Sequence, residues 1–292
     1  MLQVDAAPDL WRELLELSAQ AAPEGARIYP QVAGRPFGML LGHQTDIHPF
    51  GHCPSYASLL SRPFAERIAE LRKPEVRARI LAEAKAEPAM FLTQLRRVFP
   101  MGDPPSYEPA YEDSIEAIAR AQGADPQAFL YDRMLERDGR ELFLVPVLNY
   151  SGLTADPIRE MMHHPNAVLG LGDGAIQTFM LTHWVRDRTR GERIPVEFAI
   201  RRMTSDTAKL YGLGDRGLLA PGLRADVNII DLDGLRLESP EMVYDLPAGG
   251  KRFMQRARGY RATIVAGEPT LEYDELTGAL PGRLVRGARD AG

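Results

Sequence analysis

The sequence predicts a mixed α/β fold followed by a small β-rich part, and three features carry that prediction. A helical stretch near the N-terminus runs directly into a short apolar one, ARIYPQV (26–32). Two more apolar stretches, ELFLVPVL (141–148) and AVLGL (167–171), flank a segment with room for a short helix. After Gly217, strand-like runs alternate with Pro/Gly turns. Helices feeding short apolar strands signal a layered α/β architecture, and a run of short strands signals a separate β part.

Taken in order, the first helix spans about Asp9 to Ala22, with Leu10, Leu14 and Leu17 as an apolar stripe at helical spacing. Gly25 closes it, and Ala26 to Val32 reads as a buried strand. Residues 34–54 are rich in Gly, Pro and His and read as a loop. From Tyr56 to Phe99 the pattern is helical, broken near Pro74 and Pro88, and GDPPSYEP (102–109) is a loop because adjacent prolines cannot continue a helix. Helices follow at 114–121 and 125–136. The strand 141–148, a helix at 156–163 and the strand 167–171 fit a right-handed βαβ crossover, hence parallel strands. An amphipathic helix after Gly174 places Ile176, Phe179, Met180, Trp184 and Val185 on or near one face. Its arginine-rich end, Arg186 to Arg193, reads as a solvated terminus where cations complement the helix dipole. A shorter helix starts at Pro195, and ADVNIID (225–231) and RATIVA (261–266) read as strands. The texture changes near Gly214, so the boundary falls between residues 1–214 and 215–292.

Composition narrows the function classes. With 45% hydrophobic and 26% charged residues over 292 positions, the chain has the make-up of a globular protein. A net charge of −5 argues against a nucleic-acid partner, because no excess of cations is available to displace counterions. No apolar run reaches the ~18 residues of a membrane span. Met1 to Leu10 holds two aspartates and no basic cluster, unlike a secretion signal. The one cysteine, Cys53, excludes an intramolecular disulfide and suits a reducing, cytoplasmic setting.

Asp173 is the leading candidate for chemistry. It lies in Gly-Leu-Gly-Asp-Gly directly after the strand 167–171, and functional groups in parallel α/β folds project from the C-terminal ends of strands. A carboxylate there can ligate a metal and exchange protons with its bound water. The same pattern also describes a turn-forming aspartate between glycines. A second candidate is His43, His48, His52 and Cys53, four zinc-type ligands within eleven residues. Pro49, Gly51 and Pro54 oppose a helical His48/His52 pair, so a cleft loop with imidazoles bonded to backbone is the competing reading. His163 and His164 precede their strand and read as structural, as does His183 beside Trp184. Phosphate-binding and dinucleotide glycine loops and the serine-hydrolase elbow have no counterpart in the sequence.

Several stretches resemble the N-acyl-D-amino-acid deacylases (D-aminoacylases) of amidohydrolase family three. HPNAVLGLGDG (164–174), continuing into TFMLTHWVRDRTRGERIP (178–195), resembles their last barrel strand and helix. TSDTAKLYGLGDRGLLAPGLRADVNIID (204–231) resembles the exit from barrel to β-sandwich, and YPQVAGRPFG (29–38) and DLPAGGKRFMQRARGYRATIVAGE (245–268) fit the same group. The resemblance implies a zinc-bearing (β/α)₈ barrel with a β-sandwich, of which this chain would hold the C-terminal strands and helices and half of the sandwich. It implies that Asp173 is a metal ligand and the proton carrier in hydrolysis of an N-acyl amino acid. It also implies a missing half, because the family's His-x-His pair, bridging residue and two later histidines have no counterpart, and three candidate strands cannot close an eight-stranded barrel. The expectation is therefore a chain that binds no zinc tightly and is inactive alone. It would pair as a homo-oligomer or with a complementing N-terminal chain, or persist as a non-catalytic remnant.

Overall fold

The structure, a computed structural model, describes residues 1–170 and 175–285. It divides into two compact units, Met1–Arg35 with Ala155–Gly292, and Pro36–Thr154. The boundary near Gly214 marks a change of element type inside the first of these units.

In the first unit the helix Leu10–Gln20 forms where expected, but its buried face is Trp11, Leu15 and Ser18. The leucine stripe is exposed instead, Leu10 at 43%, Leu14 at 42% and Leu17 at 60%. Choosing the face by leucine count overlooked Trp11, whose larger apolar surface gains more from burial. The expected strand 26–32 shortens to Gln31–Val32, with Ile28 and Tyr29 exposed. It pairs in parallel with Val168–Leu169, and Gly170 donates its N–H to Val32 O at 3.0 Å. Asp156–His163 is helical, with Pro157 in its first turn and Ile158, Met161 and Met162 buried. The amphipathic helix begins as Ile176–Phe179 and continues in wider turns over Met180–Asp187.

Trp184 is fully buried on that helix, and its indole Nε1 donates to Gly34 O at 2.6 Å. Gly34 has to lack a side chain, because a Cβ there would meet Met180 Sδ at 2.6 Å. The charge run after it is mostly exposed, as a solvated end would be, with Arg188 the exception. The Arg188 side chain is 0% exposed, stacked over Trp184 with Cζ 4.7 Å from the ring, and bonded to Asp156 (2.7 Å) and Glu192 O (2.8 Å). A guanidinium with planar donors and weak hydration suits such a place. After Val196–Met203 and Ser205–Leu210 the unit becomes β-rich. Its largest sheet is antiparallel, in the order Glu275–Leu276, Glu268–Glu272, Tyr260–Val265, Val227–Ile230.

The second unit corrects the crossover. Phe143–Leu148 is a strand, but its neighbours are Phe37–Leu41 and Phe99–Pro100, both antiparallel. It shares no sheet with Val168–Leu169. The partner Phe37–Leu41 lies inside the expected loop, hidden by Gly38 and flanking Pro36. Gly38 is there for close approach, since a Cβ would sit 2.6 Å from Val145 O. Helices Phe64–Leu71, Pro74–Ala86, Ile115–Ala121 and Pro126–Met134 cover one core of Phe50, Tyr56, Ile80, Tyr131 and Phe143. Pro74 and Pro126 open their helices rather than break them, since a first-turn N–H needs no intrahelical acceptor.

Gly139 has φ +75°, and a Cβ there would meet buried Ile68 Cδ1 at 2.4 Å, whereas Gly123, φ +65°, has open space around it. Gly139→Ala should therefore cost about 2–4 kcal/mol, combining left-handed strain with overpacking, against about 1–2 kcal/mol for Gly123→Ala. Urea unfolding of both variants checks this, and equal losses would remove the packing contribution.

Candidate functional site

Asp173 lies outside the described residues. Its described flanks are the strand Val168–Leu169, whose side chains are half-buried, and the helix from Ile176, where Ile176, Thr178 and Phe179 are buried. His163 is structural, its ring stacked on Phe198 at 4.4 Å and its Nδ1 bonded to Arg159 O at 2.8 Å. His183 stacks on Phe179 at 4.5 Å.

The structure separates the four ligand-type residues of 43–53 into two sets. His43 and His48 stack with Tyr56, ring centroids 4.8 Å apart for the two imidazoles and 4.1 Å for His48 and Tyr56. His52 instead bonds Glu87 O at 2.6 Å, and Cys53 turns its thiol to Ile80 O at 3.7 Å. Among the described residues no group of three or more His, Cys, Asp or Glu is placed to hold a metal ion. Burial and nearby Glu83 push the Cys53 thiol up to about 11.

Hydrogen bonds also fix the imidazole tautomers. Phe50 N–H donates to His48 Nδ1 at 3.1 Å, so neutral His48 carries its proton on Nε2. That proton points to His43 Nδ1, 3.0 Å away, which leaves the His43 proton on Nε2. The Tyr56 hydroxyl lies 3.2 Å from the same Nδ1. A zinc ion on His43 Nε2 would need that lone pair, moving the proton to Nδ1 against the His48 N–H. Turning His48 over would then set two donors face to face at Phe50. The His43–His48 pair therefore does not fit a resident metal. Burial, reinforced by the Arg67 charge, lowers His43 to about 3 and holds His48 well below the usual imidazole range, with His43 adding to the effect on His48. Arg67 and Tyr56, from helices Phe64–Leu71 and Pro54–Ala57, belong to this cluster although their spacing in sequence gives no sign of it.

Two clefts lie away from these imidazoles. One of about 580 Å³ is lined by Leu81, Lys85, Leu92, Leu95, Glu116 and Arg120, and Glu116 there is paired with Arg120 at 3.0 Å. The other, about 380 Å³, is mostly apolar and includes Leu181, Ile200, Leu218 and Tyr260. Neither brings a nucleophile against an acid–base partner.

Two outcomes follow from the buried imidazoles. After zinc incubation and desalting, the folded chain should retain close to zero zinc by elemental analysis, and about one per chain would contradict the tautomer argument. Because the folded pKa of His43 lies below the ~6.5 of an unfolded histidine, its contribution is fully present above pH 6.5 and declines as pH falls toward 3. Urea midpoints measured between pH 7 and 5 should fall with a slope approaching one proton per imidazole, and His43→Phe should flatten it.

The chain matches the Amidohydrolase family model over residues 10–271. No curated protein matches it. Solved structures similar to it include a D-aminoacylase variant in complex with copper chloride, a D-aminoacylase described as defining a subset of amidohydrolases, and a D-aminoacylase examined for its binuclear metal centre. Each is 20% identical over 70% of this chain, with a TM-score of 0.35, and this chain spans 44% of the length of each. The family match takes in the parallel strand pair, the whole of Pro36–Thr154 and most of the β-rich part. On that match, this chain belongs to the amidohydrolase family.

Proposed function

We propose that this chain is the Asp173-bearing part of an enzyme that hydrolyses the amide C–N bond of an N-acyl amino acid, and that it is inactive alone. The observation that carries the reading is the family match over residues 10–271, which includes Asp173. The substrate class follows D-aminoacylase, the protein named in the similar structures. Asp173 takes a proton from the attacking water and returns one to the leaving amine as the C–N bond breaks, the ordinary duty of a general acid–base carboxylate. D-aminoacylase has a binuclear metal centre, and the described residues here do not fit one. The reading requires further ligands beside Asp173, from another segment of the protein or from a complementing polypeptide. In this reading the parallel pair Gln31–Val32 and Val168–Leu169, with the helices beside it up to 214, is the C-terminal part of a (β/α)₈ barrel, the antiparallel unit Pro36–Thr154 stands apart from the barrel strands, and the elements beyond 214 are half of a sandwich. Among the described residues no helix is long and apolar enough to cross a membrane, and a lone cysteine supports a cytoplasmic setting.

A second reading is a non-catalytic remnant that acts through assembly. It is supported by the exposed leucines of Leu10–Gln20, an apolar face of the kind that marks interaction surfaces.

The test is turnover of N-acetyl-D-methionine with zinc present. The chain alone should give none. Co-expressed with the N-terminal half of a D-aminoacylase it should turn over substrate at a rate that falls at least ~100-fold on Asp173→Asn. Turnover by the chain alone would sink its incompleteness, and an Asp173→Asn rate equal to wild type would sink the carboxylate's role. A folded complex that never turns over substrate would favour the assembly reading.

A further inference from the structure

The four-stranded antiparallel sheet of the first unit ends at Val227–Ile230, and among the described residues no strand pairs with that outer edge. An open edge presents backbone groups that can template another extended segment. The apolar cleft of about 380 Å³ runs to this edge. It is lined by both Val227 and Asn228, and consecutive side chains of a strand point to opposite faces. A cleft that touches both therefore reaches over the border of the strand. Leu218 and Leu219 line it too, yet are 65% and 88% exposed. Leucines left that open beside an apolar cleft are the kind of uncovered surface that marks a contact site.

The same chain carries a segment of matching character. It follows Glu275–Leu276, the strand at the opposite edge of the same sheet, after a turn at Gly278 with φ +85°. Residues 280–285, LPGRLV, form no helix or strand and make no hydrogen bond among the described residues. Leu280 and Leu284 are 93% and 80% exposed. Pro281 biases Leu280 toward extended backbone, and in an extended chain residues 280, 282 and 284 share one face. That face reads Leu-Gly-Leu, and a proline is tolerated on an edge strand. The charges do not oppose each other. The cleft has one charged lining residue, Asp226, and the segment has one charge of opposite sign, Arg283. Asp226 is already held by Arg224 at 2.8 Å, so the leucines drive the contact and the charges only permit it.

We propose that residues 280–285 of one copy lie along the Val227–Ile230 edge of a second copy, with Leu280 and Leu284 in its cleft, and that the second copy returns its own segment. The occupant is another copy of this chain because one chain carries both halves of the contact and leaves both uncovered. Those halves start from opposite edges of one sheet, three strand spacings or ~14 Å apart. Reciprocal exchange about a two-fold axis closes the assembly at two. The contact is independent of Asp173 and of the proposed hydrolysis, so the failure of either leaves the other standing.

The experiment is sedimentation velocity of the full chain up to about 100 μM, where a micromolar interface is saturated. The wild-type chain should sediment as a dimer. One variant carries Leu280→Asp with Leu284→Asp, and the other carries Leu218→Asp with Leu219→Asp. All four positions are exposed, so both variants should keep the wild-type circular dichroism, and each should dimerise at least ~tenfold more weakly. Mixed in equal amounts the two variants should form a heterodimer, because one intact segment then meets one intact cleft. A wild-type chain that stays monomeric would overturn the proposal, whether or not an apolar dye then binds in the cleft. Wild-type dimerisation by either folded variant would also overturn it, as would a mixture that stays monomeric.

Discussion

The burial of Trp184 against Gly34 is the constraint on which the first unit depends. An indole taken from water contributes the largest single apolar surface a residue can, provided its N–H finds an acceptor. Here the acceptor is a backbone oxygen 150 residues away in sequence, at a position where only glycine leaves room for Met180. That one contact ties the segment after Gln31–Val32 to the helix that follows Asp173. Arg188 then closes over the far face of the indole and carries the tie on to Asp156, at the start of another helix. The strand pair itself is two residues long on each side, too short to set its own register without such packing.

Much of the element order was legible in the chain. Helix starts near Asp125 and Asp156, the helix after Gly174 and the β-rich texture beyond Gly217 all follow from local chemistry that needs no tertiary knowledge. Pairing was the part that local pattern could not give. Phe143–Leu148 reads equally well as parallel or antiparallel, because a continuous apolar run lacks the alternation that would show a solvent face. Its partner escaped notice because a glycine chosen for close approach to Val145 looks, in sequence, like a loop glycine. The leucine stripe of the first helix misled for a related reason, since periodicity reports that a helix has an apolar face but not which of two faces the fold will cover.

The candidate site divides in the same way. Asp173 stood out because a carboxylate between glycines after an apolar strand is a local signature. The imidazoles of 43–53 stood out as ligand types, but ligand types are not ligands until their protons are located. A single backbone N–H, that of Phe50, settles the tautomer of His48 and through it that of His43. The roles of Tyr56 and Arg67 depend on how two helices pack, which no spacing rule encodes.

The division into units has a consequence for how the chain reaches its native state. Residues 36–154 leave and rejoin the other unit between Arg35 and Ala155, so the strand pair and the Trp184 contact both close across them. Closing a long flexible loop carries an entropy cost that grows with the logarithm of its length. If the intervening residues collapse first around their own core of Phe50, Tyr131 and Phe143, much of that ordering is already complete. The outer contacts then join the ends of a folded body instead of a coil. Folding from the inside outward is thus the faster order, and damage to the inner core would slow assembly of the outer unit without touching any of its residues.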